Sequence, residues 1–311
     1  MGCCESKALK GESIIKIARF GIEKNRPGVL KDMLKKVQSV THDKIKETLD
    51  NPIIEIHDLK LNAINYSVLL GKHLAFNSLL LMGCSLEIAE EELAAQNTSI
   101  LFILCRKGYS EILNLYLPIF LTKSYLDKEK IKQSPTEFFE TPLNIAISMG
   151  HLNVVSDIYK STLDCQNVPE DLSFKYEGGK FKENSALTAC RSGNFHVVKF
   201  LHSKLPELFF DKNIEGENAI HIACCGSVEN PSKPYLDILK YLVQVVGVGL
   251  SENSLKTLAT VQDPQIKHWI ESEQSKLNLF PKPCFLSPLL YHPEQTPECI
   301  RNVSNLSLQH N

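Results

Sequence analysis

One short frame recurs along the chain and limits what it can fold into. Its clearest copy runs Thr141-Pro142-Leu143-Asn144-Ile145-Ala146-Ile147-Ser148-Met149-Gly150-His151, followed by Leu152-Asn153-Val154-Val155. Thr ahead of Pro suits a helix N-terminus, because Thr caps orphan amides and Pro loses nothing at the first helical position. The small Ala146 lets a neighbouring element pack closely. Gly150 ends the helix where a positive φ is needed. The aliphatic residues after it supply a second helix. One such helix pair cannot bury its apolar face alone, so the unit implies an array.

Further copies follow the same order. Asn62–Gly71 leads into Ala75–Leu81 and then Gly83-Cys84. Ser99–Gly108 is a degenerate copy followed by Ile112, Leu113 and Leu115. Ala189–Asn194 continues into Val197–Leu201, and Asn218–Cys224 continues, after an insertion, into Leu236–Val243. A weaker sixth copy runs through Leu255, Leu258, Ala259, Ile266 and Ile270. The small-residue position falls at 67, 104, 146, 189, 223 and 258, at intervals of 37, 42, 43, 34 and 35.

The segment from Thr141 resembles the ankyrin repeat, whose signature is T-P-L-H-x-A-A-x-x-G-H before an apolar second helix, with Asn144 and Ile147 as its departures. Leu104 and Leu258 depart where that family prefers a small residue. Ankyrin units repeat at about 33 residues, so the long intervals imply insertions, placed at 122–137 and 161–182. If Leu187 holds the signature Leu position, the fourth unit is one residue short before Ala189. The resemblance implies an all-α solenoid of five to six helix-turn-helix units. A helical N-terminal cap is expected over 11–58, the array over 59–275, and a disordered Pro-rich tail over 276–311. Ser13–Phe20 and Val29–Val40 carry the cap's apolar spacing, with Pro27-Gly28 between them. Trp269 is placed as a closing side chain at the far end. The tail's Phe285, Leu286, Leu289, Leu290 and Tyr291 either fold back on the array or form a docking peptide.

The first ten residues are read as an anchor. Met1-Gly2-Cys3-Cys4-Glu5-Ser6-Lys7 fits the myristoylation pattern, with Gly2 as the acyl acceptor. A single myristoyl chain binds membranes only marginally, and stable anchoring needs a second signal. Cys3 and/or Cys4 offer palmitoylation, and the basic flank offers attraction to anionic lipid. The 311-residue chain carries −2 overall, yet residues 1–40 hold nine Lys and Arg against four acids, which leaves −7 for the rest. That balance argues against a general nucleic-acid binder. No apolar run reaches the roughly 18–20 residues needed to span a bilayer, and no secretory h-region is visible. The ten cysteines are therefore not expected to form a disulfide framework in the cytosol.

Sharper chemistry finds little support. His221, Cys224 and Cys225 are the tightest group of metal-ligating types, but the frame puts His221 at the signature His and Cys224 at a small-residue position. There is no paired C-x₂-C set, so no metal and no cofactor are expected. No phosphate loop, H-E-x-x-H or G-x-S-x-G motif occurs, and no enzymatic activity is expected. Ankyrin arrays bind proteins through a concave face, and the resemblance places candidate partner-binding residues just before each glycine: Leu69 and Leu70, Arg106 and Lys107, Ser148 and Met149, Arg191 and Ser192. The functional expectation is a monomeric, lipid-anchored adaptor that binds a protein at the cytosolic face of a membrane, foremost the plasma membrane. The alternative is a regulatory subunit or inhibitor of a membrane-associated enzyme.

Overall fold

The computed structural model describes residues 2–36, 41–56, 59–126, 140–163, 165, 168–250, 261 and 263–279. Five helix pairs stack in sequence order. The first helices are α4 (Ala63–Leu69), α7 (Ile100–Lys107), α9 (Pro142–Ser148), α11 (Ser185–Ser192) and α13 (Ala219–Glu229). Their partners are α5 (His73–Leu81), α8 (Ser110–Leu126), α10 (Leu152–Thr162), α12 (Phe195–Lys204) and α14 (Tyr235–Tyr241). Each first helix packs on its own partner and on the first helices of adjacent units, and the second helices form a parallel row of their own. The core lies between the two rows, and the small residues Ser67, Ala146, Ala189 and Ala223 are wholly buried where first helices meet. This is an all-α solenoid.

The frame sets each unit's start. Asn62, Ser99, Thr141, Asn184 and Asn218 all precede a first helix, and each side chain accepts a hydrogen bond from the amide three residues on. These caps satisfy amides that a helix leaves orphaned. They also settle the fourth unit. Asn184 stands where Thr141 stands in the third, so Leu187 takes the His position and Ala186 the Leu position. No residue is missing there.

The far ends of α4, α7, α9 and α11 are closed by the following unit. Gly108 and Gly193 cap α7 and α11 in the left-handed region, at φ +75° and +70°. A Cβ on Gly108 would stand 2.7 Å from the His151 ring, and one on Gly150 would stand 2.8 Å from Asn194 Oδ1. Across these bare glycines the next unit bonds carbonyls at the helix ends. His151 Nε2 donates to Arg106 O at 3.0 Å. Asn194 Nδ2 donates to Ile147 O and Ser148 O at 2.9 and 2.8 Å. Tyr235 Oη donates to Arg191 O at 2.5 Å. Tyr109 lies against Gly71 in the same way.

The N-terminal cap differs from expectation in its joints. Helix α1 (Gly2–Glu23) runs past Phe20, and α2 (Pro27–Lys36) begins at Pro27, so Pro27-Gly28 starts a helix instead of separating two. Pro is favourable at that first position. The break falls at Asn25, at φ +50°, whose Oδ1 accepts from the Ala75 amide at the start of α5. Ile14, Ala18 and Ile22 bury one face of α1, while α3 (His42–Asp50) buries Ile45 and Leu49. Helix does not extend to 58. Pro52 disfavours helix at the preceding residue, and β-branched Ile53, Ile54 and Ile56 favour a strand. An antiparallel hairpin, β1 (Ile54–Ile56) with β2 (Leu59–Leu61), leads into the first unit.

Three further departures lie within the array. An extra helix, α6 (Leu86–Ala94), fills the 37-residue interval between the first two units. Its Glu92 accepts from the Asn62 amide and from Asn65 Nδ2, and its Glu90 accepts from the Ile100 amide, so its carboxylates sit at the N-termini of α4 and α7, where a helix favours negative charge. Helix α8 reaches Leu126, inside the expected 122–137 insertion, whose residues 127–137 lie outside the described set. Helix α13 continues through Cys225 to Glu229, so the insertion expected after Cys224 is a loop only over 230–234. Its Gly226 is buried, and a Cβ there would meet Arg191 O at 2.1 Å.

The chain divides after Lys267. Helix α15 (Pro264–Leu279) carries Ile266, Trp269 and Ile270 and passes the expected tail boundary at 275. Leu255, Leu258 and Ala259 of the sixth copy, and the tail from residue 280, lie outside the described residues.

The interlock makes a specific demand on Gly150. Gly150→Ala is expected to lose about 1–2 kcal/mol from the left-handed backbone alone, and more as Asn194 is displaced. Thermal or urea unfolding of the variant measures this. Unchanged stability would show that the contact does not hold the third and fourth units together.

Candidate partner-binding surface

Because the first helices stack in order, the eight residues singled out before the glycines fall at equivalent ends of α4, α7, α9 and α11. Their environments differ sharply. Arg106 and Lys107 are exposed, and Met149 is 54 % exposed. Leu69 and Leu70 are half-buried. Ser148 Oγ donates back to Ile145 O, and Ser192 Oγ donates to Ala189 O while accepting from Asn194 Nδ2. These two hydroxyls serve the ends of their own helices.

Arg191 is an internal anchor. Its side chain is 16 % exposed and lies beside the buried Glu183, at 6 %. The guanidinium donates to both Glu183 oxygens, at 2.9 and 3.1 Å from Nε and 2.5 Å from one terminal nitrogen. It also pairs with Glu229 at 3.2 Å and lies 3.9 Å from Glu217. Its Cζ sits 4.2 Å from the Phe181 ring centroid, a cation–π arrangement. Glu183 and Phe181 come from the segment around the 161–182 insertion. That segment folds back through a bridge between Gly178 and Glu183, and Phe174 packs edge-on to Tyr159. The insertion thus consumes the arginine that the frame alone would leave for a partner.

Beside Arg191 lies a group that the frame conceals. Glu217, His221 and Cys225 bring one oxygen, one ring nitrogen and one sulfur within 4.8 Å of one another. Glu217 Oε1 stands 2.8 Å from His221 Nε2. Cys225 occupies the same position in its unit as Arg191 and Arg106, whereas Cys224 is wholly buried in the core. Burial pushes the Cys225 thiol up, Glu217 adds to the rise, and Arg191 opposes it. Burial likewise pushes the Cys84 thiol up to about 12, in keeping with its place as a small core residue. The sequence reading of the His221–Cys225 group missed Glu217. Its signal was the spacing of four, Glu217 to His221 to Cys225, which returns to one side of a helical path.

Gly2, Cys3 and Cys4 lie at the start of α1, and their side chains are outside the described set. Among the described residues, no helix is long and apolar enough to cross a membrane.

Arg191→Met is expected to destabilise the fold by about 3 kcal/mol, because it leaves Glu183 buried without its counter-charge. Adding Glu183→Met is expected to recover most of that loss. Denaturant titration of the two variants checks both, and a single variant as stable as wild type would contradict the assignment of Arg191 as an anchor.

No protein-family model matches the chain, and no curated protein matches it. A solved structure that it resembles is the crystal structure of the human ASB11 ankyrin repeat domain, at 13% identity and a TM-score of 0.39, covering 75% of this chain and 98% of that one. The solenoid described above rests on the chain's own helix pairing and interlocks.

Proposed function

We propose that the protein is a non-catalytic, lipid-anchored adaptor that binds a protein partner at the cytosolic face of a membrane, foremost the plasma membrane. Acyl chains on Gly2 and on Cys3 and/or Cys4 supply the anchor, and the basic flank adds attraction to anionic lipid. The observation that carries the binding half is the exposed cluster of Arg106, Lys107 and Met149 at neighbouring first-helix ends. Among the described residues no ion pair engages Arg106 or Lys107. Two cations beside an apolar side chain suit a partner with an acidic rim around an apolar contact. Tethering raises the local concentration of both proteins, so a modest affinity suffices.

The anchor is tested by expressing the chain with a clickable myristate analogue and fractionating the cells. Wild type is expected to be labelled and membrane-bound, and Gly2→Ala unlabelled and soluble. A soluble, unlabelled wild type removes the membrane half of the reading. The binding surface is tested separately by proximity labelling from the anchored chain. Arg106→Glu with Lys107→Glu is expected to reduce labelling of specific neighbours about tenfold, the equivalent of roughly 1.4 kcal/mol. Fractionation is expected to stay unchanged. An unaltered set of neighbours would exclude this surface.

A further inference from the structure

The geometry points to a cation site at Glu217, His221 and Cys225, which we propose binds a borderline divalent metal of the zinc class through one oxygen, one imidazole nitrogen and one thiolate.

Three features carry the proposal. The first is donor placement. Tetrahedral zinc bonds of about 2.0–2.3 Å put donor atoms roughly 3.3–3.8 Å apart. The three donors already lie within 4.8 Å of one another, and Glu217 Oε1 is 2.8 Å from His221 Nε2. The mixture of sulfur, imidazole and carboxylate suits zinc and its neighbours better than calcium or magnesium, which take oxygen donors.

The second feature is that the carboxylate is held from behind. Asn213 is 5 % exposed. Its Nδ2 donates to Glu217 Oε2 at 2.7 Å, and its Oδ1 accepts from the Glu215 and Glu217 amides at 3.0 and 2.9 Å. The Asn213 amide donates to Glu217 O at 3.1 Å. The turn therefore presents Glu217 in a fixed orientation to the first turns of α13, as outer-shell partners do for metal ligands.

The third feature is charge. Glu183, Glu217 and Glu229 surround the single guanidinium of Arg191. With His221 neutral and Cys225 a thiol, that group carries two excess negative charges, and a divalent ion that displaces the thiol proton lowers the excess to one. The ordered, partly buried setting limits screening by solvent.

Binding is a proton-releasing step. The Cys225 Sγ–H bond breaks, its proton passes to buffer, and the thiolate takes the metal. His221 adopts the Nδ1–H tautomer and gives its Nε2 lone pair, in place of its contact with Glu217. No electron is transferred. Three protein donors leave one position for water or for a donor from a bound partner. This makes the site an extension of the first-helix row that is independent of the lipid anchor.

The test uses the intact chain, reduced and stripped of metal, titrated with Co²⁺ alone at neutral pH. Wild type is expected to develop a thiolate-to-cobalt charge-transfer band and intense tetrahedral d–d bands at one equivalent, and Zn²⁺ is expected to displace them. Cys225→Ser is expected to lose the charge-transfer band, while Cys3→Ser with Cys4→Ser keeps it. Asn213→Ala is expected to weaken binding about tenfold. Circular dichroism of each metal-free variant verifies its fold. Should Cys225→Ser fail to fold, protection of Cys225 from alkylation by Zn²⁺ in wild type, read by peptide mass spectrometry, decides in its place. No charge-transfer band in wild type overturns the proposal. So does a band that survives in Cys225→Ser or disappears with the N-terminal cysteines.

Discussion

Among the described residues, three of the four joints between first helices are crossed by a side chain of the next unit that bonds a carbonyl oxygen at the end of the preceding helix. His151, Asn194 and Tyr235 reach across to Arg106, to Ile147 and Ser148, and to Arg191. The glycine beside each contact, Gly108, Gly150 or Gly193, matters because any side chain there would stand in the approach path. In the last joint the buried Gly226 gives the same clearance from the opposite side. Unpaired helix ends are costly when buried. The cap, the glycine and the neighbouring unit therefore form one device. Through it, a set of helix pairs that could not fold alone becomes a continuous body.

The same device defines which residues are left for function. A residue just before the glycine lies at the end of its helix, where the row of first helices is open. Its availability then depends on what else reaches it. At Arg106 and Lys107 nothing described competes, whereas at Arg191 the folded-back insertion brings Glu183 and Phe181. In the fifth unit the equivalent residue is Cys225, and the turn held by Asn213 brings Glu217 beside it. One position in the frame thus serves as exposed surface, as structural anchor or as metal donor, according to its neighbours.

Much of this architecture was legible in the residues. Thr141 and Asn218 open their copies at helix starts, and the recurring frame separates the five units among the described residues. What was not legible came from contacts distant in sequence. The insertion's return onto Arg191 depends on how residues 173–184 fold back, which no local pattern specifies. Helix α6 was hidden because Leu86, Ala89 and Leu93 have helical spacing but lie in a stretch that the repeat treats as a connection. The frame of the fourth unit was ambiguous because Leu187 suits the signature Leu position by type, and the Asn184 cap puts it at the His position instead. Pro27 was read as a breaker, although proline starts helices as readily as it ends them.

The central physical claim is that side chains crossing from one unit to the next make the five pairs a single cooperative body. Native-state hydrogen exchange on the intact chain, read segment by segment, tests it most directly. In wild type the amides of α4 through α14 are expected to share one opening free energy. In Asn194→Ala they are expected to separate into two groups, with α11 to α14 opening independently of α4 to α10. A single shared opening that persists in the variant would contradict the account.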